Sequence, residues 1–467
     1  MPVTVQPGTL GQLRASGHER ETVKQELRRN LLARMRTGVS PLLEGIVGYD
    51  DTVLPQVANA IISGHDMILL GERGQAKSRL MRSLIGFLDA EIPVVEGCDI
   101  NDHPYQPICR RCRDLVAEKG DQTPLAWLPR ERRYGEKLAT PDISIADLIG
   151  EVDPIKVAEG RYLADELTIH YGLVPRCNRG IFGINELPDL AERIQVGLLN
   201  IMEEKDVQIR GYRIRLPLDL LVVASANPED YTSRGRIITP LKDRFGSQVR
   251  THYPLTVAEE IEIMEGERML PPSEIEVLVP GFMKEVVAEM SHGARRSPHI
   301  SQSSGVSVRM SIGNYENLAS NAVRRAVRTG ESLAVPRISD LEFLAASTAG
   351  RVEIEALDEG KEEQVMARIQ RGAVSAVFGR HFAASQFENL VGRFEEGTML
   401  EVGESMPAST YVRAIGESAE VDNALRRLGL PDKAEVRASV IEFVLEGLHL
   451  NKRLNKDEMG GRALYRR

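Results

Sequence analysis

The chain has little cysteine, four residues in 467, which excludes a scaffold stapled by disulfides. It has no apolar run near the ~20 residues that a membrane-crossing helix needs. Its opening residues, MPVTVQPGTLGQLRASGHERE, lack the apolar core of a secretion signal, so the cytoplasm is the expected compartment. Positive charge is not in excess: 59 Lys and Arg stand against 68 Asp and Glu, a formal net charge of −9. That balance argues against a nucleic-acid binder working by bulk electrostatics and leaves room only for a local basic patch. No internal repeat is visible. What is present is an ordinary globular composition, 42% hydrophobic and 27% charged, on a chain long enough for two or three domains.

Residues 20–38 combine good helix formers with charges of both signs and end in glycine, which predicts a helix. A second helix should close at Gly64, followed by the buried strand MILLG and the amphipathic helix KSRLMRSLIGFLDA. IPVVEG reads as the next strand, and the alternation implies a parallel sheet with right-handed crossovers. Residues 98–150 interrupt it with a polar insertion rich in Pro, Arg and Asp. GIFGI (180–184) and LDLLVVASA (218–226) are further strands of the continuous, buried type. Between them lie a helix and the hairpin-like DVQIRGYRIRLPL. From about 255 onward strand signals fade and helical periodicity takes over.

The expected organisation is therefore an N-terminal helical extension (1–39) and a three-layer α/β core with a parallel sheet (40–254). The core carries the polar insertion 98–150 and the hairpin 206–217. A helical lid (255–352) and a C-terminal helical region (353–467) follow.

Chemistry enters just after MILLG. Gly71-Glu72-Arg73-Gly74-Gln75-Ala76-Lys77-Ser78 matches the phosphate-binding pattern G-x-x-x-x-G-K-[ST] except at Ala76. Backbone N–H groups would hold phosphates, Lys77 would reach the β/γ oxygens and Ser78 would ligate Mg²⁺. If position 76 needs a positive φ, alanine there costs about 1–2 kcal/mol. GIFGI then runs into Asn185-Glu186, where P-loop ATPases usually carry Asp-Glu. Glu186 can act as the base for the attacking water, whereas Asn185 offers Mg²⁺ only a neutral carbonyl. The plainer alternative is a strand ending in a turn, with Glu186 solvated. LLVVASANPED ends a strand in Asn227, TPLKDRF holds Arg244, and GVSVRMSI holds Arg309.

Taken in order, these residues resemble the AAA+ ATPases, in the branch of the magnesium chelatase I subunit and the MoxR-type ATPases. The resemblance spans about residues 40–350, carried by EGIVGYDD, GERGQAKS, NRGIFGINELPDL, VQIRGYRIRLPLDLLVVASANPEDY and TPLKDRFG. It implies that Ile46, Val47 and Gly48 border an adenine and that residues 71–79, through Arg79, cradle ATP. It makes Lys77 and Ser78 the Walker A residues, and Asn185 and Glu186 the Walker B residues, with Ser78 and Asn185 toward Mg²⁺. Asn227 would be sensor 1, Arg309 sensor 2, and Arg244 the finger reaching a neighbouring subunit, with Arg234 and Arg236 as competitors. The insert 151–179 resembles the helix-2 insert of this branch, and the hairpin around Gly211 its pre-sensor-1 hairpin.

By the same resemblance the chain is an ATP- and Mg²⁺-dependent motor forming a homo-oligomer, a hexameric ring, that remodels or activates a partner protein. That partner would carry a von Willebrand A domain on a separate polypeptide, since DISIADL fails the D-x-S-x-S pattern at its last position. Three alternatives stay open: a metal chelatase motor subunit, a nucleotide-dependent scaffold with little hydrolysis, and a DNA-translocating relative. No G-A-F-T-G-A loop is present, which argues against an activator of the alternative sigma factor's polymerase.

Three of the cysteines cluster in EGCDINDHPYQPICRRCRD. Cys98, His103, Cys109 and Cys112 could hold Zn²⁺ tetrahedrally and staple a polar insertion. Ordinary free thiols are the simpler reading, and a redox C-x-x-C is a third.

Overall fold

The computed structural model describes residues 6–38, 42–153, 155, 166–203, 206–209, 212–228, 236–270, 274–301, 305–355, 361–459 and 462–467, with the backbone alone at 206–209, 212–215 and 458–459. It forms two compact units, Met1–His252 and Tyr253–Arg467.

Five strands make the central sheet of the first unit: β1 (Met67–Leu70), β2 (Tyr134–Leu138), β3 (Gly180–Asn185), β4 (Leu220–Ala226) and β5 (Ser247–Arg250). They lie in the order β5-β1-β4-β3-β2, all parallel. Side chains alternate between two apolar layers, as the two-residue period of a strand requires. Met67, Leu69, Ile181 and Val223 pack on one side with Leu27, Leu54, Leu80 and Phe87. Ile68, Phe182, Ile184 and Val222 pack on the other with Leu198 and Leu241. The three-layer α/β core predicted from the sequence is present.

The helix expected at 20–38 runs Val23–Arg36, opened by a reciprocal cap between Thr22 and Gln25. Its buried Glu26 takes a bidentate ion pair from Arg133, at 2.6 and 2.7 Å. The next helix, Val53–Ser63, ends where Gly64 turns left-handed, as expected.

Two assignments are corrected. IPVV is a strand (Glu91–Val95), but it pairs antiparallel with Leu125–Pro129 outside the central sheet. Residues 98–150 are not all insertion, because Tyr134–Leu138 supplies β2, an edge of the sheet. Its burial is mixed and its sequence, YGEKL, half polar, so it lacks the continuous apolar run that marks β1, β3 and β4. β5 escaped for the same reason, being SQVR with one buried residue. Part of the insert 151–179 (154 and 156–165) and the turn 210–211 of the hairpin lie outside the described residues. The flanking backbone, Asp206–Ile209 and Tyr212–Arg215, pairs antiparallel.

The second unit holds the expected helices Val257–Glu267, Gly281–Arg296 and Val308–Thr329, then Glu362–His381 and the buried Ala434–Leu450. One hydrophobic core runs from Met264 to Tyr465, joining the stretches expected as lid and C-terminal region. The second stretch is also not wholly helical. Leu400–Gly403, Asn455–Met459 and Arg462–Arg466 form an antiparallel three-stranded sheet. No helix among the described residues is long and apolar enough to cross a membrane.

Candidate active site

The turn after β1 is built around missing and buried side chains. A Cβ on Gly71 would stand 1.9 Å from the Thr251 hydroxyl oxygen and 2.2 Å from Gln75 Oε1, so no larger residue fits. Gln75 is buried. Its Oε1 accepts from the Glu72 N–H at 3.1 Å and from the Thr251 hydroxyl at 2.8 Å, which fixes the turn from inside. Arg73 on the turn and Arg79 in the helix that follows it are exposed. The Tyr49 hydroxyl sits 2.8 Å from the carbonyls of both Gln75 and His252, and burial pushes its pKa up to about 12. Tyr49 thus locks the preceding turn, with buried Ile46, half-buried Val47 and left-handed Gly48 (φ 76°), to the phosphate loop.

Ala76 does occupy the left-handed region, φ 53° and ψ 17°. The chain accepts that strain immediately before the helix Lys77–Ser83. Lys77 is 6% exposed. Its amino group donates to the carbonyls of Gly71 and Glu72 (2.8 Å for Glu72) and to Asn227 Oδ1 at 2.7 Å. Asn227 Nδ2 in turn donates to Glu186 Oε2 at 3.0 Å. Lys77, Asn227 and Glu186, spread over 150 positions of sequence, therefore form one hydrogen-bonded line across the carboxyl ends of β1, β4 and β3. Glu186 also sits at positive φ (55°), held by its N–H to Ser225 Oγ at 3.2 Å.

A second line starts one residue on. The Ser78 hydroxyl donates to Asn185 Oδ1 at 2.8 Å, and Ser225 Oγ donates to the same oxygen at 3.1 Å. Asn185 Nδ2 donates to Glu136 on β2. Glu136 takes two bonds from Arg82 (2.6 and 2.8 Å) and one from the Tyr134 hydroxyl (3.0 Å). Burial would raise the Glu136 carboxyl, but hydrogen bonds from Arg82, Tyr134 and Asn185 outweigh it and hold the pKa below its ordinary value. Gly183 makes room for this arrangement, since a Cβ there would come within 2.9 Å of the Tyr134 hydroxyl.

Arg244 is half-exposed and pairs with Glu203. Arg236 is exposed, and Arg234 lies outside the described residues. Arg309 is exposed near the start of Val308–Thr329 in the second unit. Sequence reading missed Glu136, Ser225, Tyr49 and Thr251. Glu136 alone carried a signal, an acidic residue between Tyr134 and Leu138 in an alternating stretch, but β2 was too polar to stand out.

Strand order, and a phosphate-type turn between the first strand and its helix, define the class: a parallel α/β domain of the P-loop type. No protein-family model matches the chain, and no curated protein matches it. Among solved structures it is similar to a chain of the BchI–BchD complex of magnesium chelatase, 20% identical with a TM-score of 0.36, over 71% of this chain and 94% of that one. It is similar to a proposed ATPase of Cytophaga hutchinsonii, 16% identical with a TM-score of 0.32, over 77% and 98%. NtrX of Brucella abortus is 13% identical with a TM-score of 0.37, over 87% and 72%.

Proposed function

We propose that the chain binds ATP with Mg²⁺ and hydrolyses it, as an AAA+-type motor whose active site is completed in a homo-oligomeric ring. The observation that carries the reading is the pair of lines Lys77–Asn227–Glu186 and Ser78–Asn185–Glu136, side by side at the mouth of the phosphate turn. The residues fit the ligand. Gly71 and Gln75 shape a turn that a Cβ would fill, and Lys77 bonds carbonyl oxygens that phosphate oxygens can replace.

In this reading Lys77 neutralises β/γ-phosphate charge, and Asn227 orients Glu186. Glu186 accepts the proton of the attacking water. Mg²⁺, when bound, would supply charge neutralisation to the phosphates, with Ser78 and Asn185 as its protein-side contacts. Asn185 keeps the acceptor that orients the Ser78 hydroxyl, while the negative charge stands one strand away on Glu136. Ile46, Val47 and Gly48 border the base. Arg309, on the helical stretch 255–352 read as a lid, takes the sensor 2 role that the motif resemblance implies, and Arg244, Arg234 or Arg236 reaches into the neighbouring subunit. A hexamer and a partner with a von Willebrand A domain rest on the motif resemblance, and a cytoplasmic setting on the scarcity of cysteine.

A second reading, an ATP-dependent scaffold with little turnover, is favoured by one observation: the Glu136 charge is already paired with Arg82. ATP turnover separates the two. The motor predicts phosphate release at least ~10²-fold above a Lys77→Ala control. Wild-type turnover equal to that control, with rings still forming on ATP, would leave only the scaffold. A Glu186→Gln variant should trap assembled rings in ATP and retain the partner on affinity capture.

A further inference from the structure

The cysteine loop places four ligand atoms around one point. The Sγ atoms of Cys98, Cys109 and Cys112 and a carboxylate oxygen of Asp102 all lie within 4.8 Å of one another. In a tetrahedral zinc site with Zn–S near 2.3 Å the ligand atoms stand about 3.8 Å apart, so side-chain rotation alone closes the set. His103, the ligand expected from the sequence, is replaced by Asp102. His103 Nδ1 already accepts the Tyr105 N–H at 3.0 Å, and its ring packs on Tyr105 and His18.

Local folding builds the cluster. After the strand Glu91–Val95 the chain turns back at left-handed Gly97, and the Val95 N–H bonds to the Asp102 carbonyl at 3.2 Å. Cys109 caps the helix Arg110–Lys119, and Cys112 falls in its first turn, which brings the two thiols to one side. Two amides aim at sulfur: Asp102 N–H at Cys98 Sγ (3.3 Å) and Cys112 N–H at Cys109 Sγ (3.4 Å). Such donors favour thiolate over thiol.

An independent observation points to a cation. Asp102 is 0% exposed. Its Oδ2 accepts from the Cys109 N–H at 3.0 Å, but its Oδ1 is buried with no hydrogen-bond partner. A carboxylate oxygen buried unpaired beside three thiols costs free energy that a metal ion would recover. Oxygen-seeking Ca²⁺ and Mg²⁺ do not suit three sulfurs, whereas a compact thiolate-rich tetrahedral set suits zinc. Cys98 is half-buried and offers the way in, while Cys109 and Cys112 are buried.

We infer that Cys98, Asp102, Cys109 and Cys112 form a structural Zn²⁺ site that fastens the segment between Val95 and Lys119. Binding exchanges three thiol protons for one divalent cation, and no electron transfer is involved. The site stands whether or not the chain hydrolyses ATP.

The test is metal analysis of the full chain purified without added zinc, together with Co²⁺ exchange into the chelator-stripped protein. About one zinc per chain, and thiolate-to-cobalt charge-transfer absorption, are expected. Cys112→Ser should cut zinc below about 0.2 per chain, and Asp102→Ala should weaken retention at least ~10-fold, while His103→Ala keeps about one. Less than about 0.2 zinc per wild-type chain without cobalt absorption, a Cys109–Cys112 disulfide in its place, or equal loss in His103→Ala would overturn the assignment. Should a variant fail to fold, the wild-type metal content and cobalt spectrum still decide.

Discussion

The phosphate turn and the cysteine loop are built alike and finished differently. Each follows a short buried strand, Met67–Leu70 or Glu91–Val95, and each ends at the start of a helix. Each buries polar groups that folding must satisfy. In the phosphate turn the chain supplies the partners itself: Lys77 has three acceptors, and both ends of the Asn185 amide are used. In the cysteine loop a carboxylate oxygen of Asp102 is left over. A self-satisfied site is stable when empty, which suits the ligand that the proposed cycle would bind and release. A site with an orphaned charge is stable only when filled, which suits a resident ion.

Four changes break or sharpen that contrast. The largest effect is expected from Lys77→Ala, which should reduce ATP turnover at least ~10²-fold and leave zinc at its wild-type level. A coupled loss of both would show that the two loops are not independent.

Next is Asp102→Asn in chelator-treated protein. Removing the unpaired buried charge should stabilise the metal-free chain by about 1–3 kcal/mol in urea unfolding while lowering zinc retention. A destabilised metal-free variant would mean that Asp102 has a partner in solution.

Asn185→Asp sets a carboxylate against Glu136 and should slow turnover roughly tenfold, because two touching carboxylates cannot both stay ionised cheaply. Asn185→Asp with Glu136→Gln should restore it, a coupling that independent sites would not show. Additive losses in the double variant would sink the idea that Glu136 carries the charge missing from position 185.

Smallest is Ala76→Gly, which relieves the left-handed alanine and should raise stability by at most about 1 kcal/mol without changing turnover by more than about twofold. A loss of stability would show that the alanine methyl packs usefully.

How much was legible follows from the kind of signal. β1, β3 and β4 are buried on both faces and read as unbroken apolar runs, so they and the residues at their ends, Ser78, Asn185, Glu186 and Asn227, could be placed from sequence. The edge strands β2 and β5 are half polar, and Glu136 was hidden with β2. The sheet of Leu400–Gly403, Asn455–Met459 and Arg462–Arg466 was hidden by the strong helices around it. Asp102 was passed over for His103 because sequence ranks ligand types, whereas ring packing and a free carboxylate oxygen appear only in three dimensions. The positive φ at Ala76 was foreseeable, since the pattern asks for glycine there.

β3 reaches from one loop to the other. At its root the Asn178 amide holds the Ile100 carbonyl at 2.9 Å, the Asn101 amide holds the Arg176 carbonyl at 2.7 Å, and Arg179 reaches the Pro93 carbonyl at 2.6 Å. At its tip stand Asn185 and Glu186. Six residues of pleated strand make a rod of about 20 Å that transmits displacement with little give. The cysteine loop is therefore the abutment against which the Glu186 carboxylate is braced, and slackness in it would be felt as misalignment at the far end.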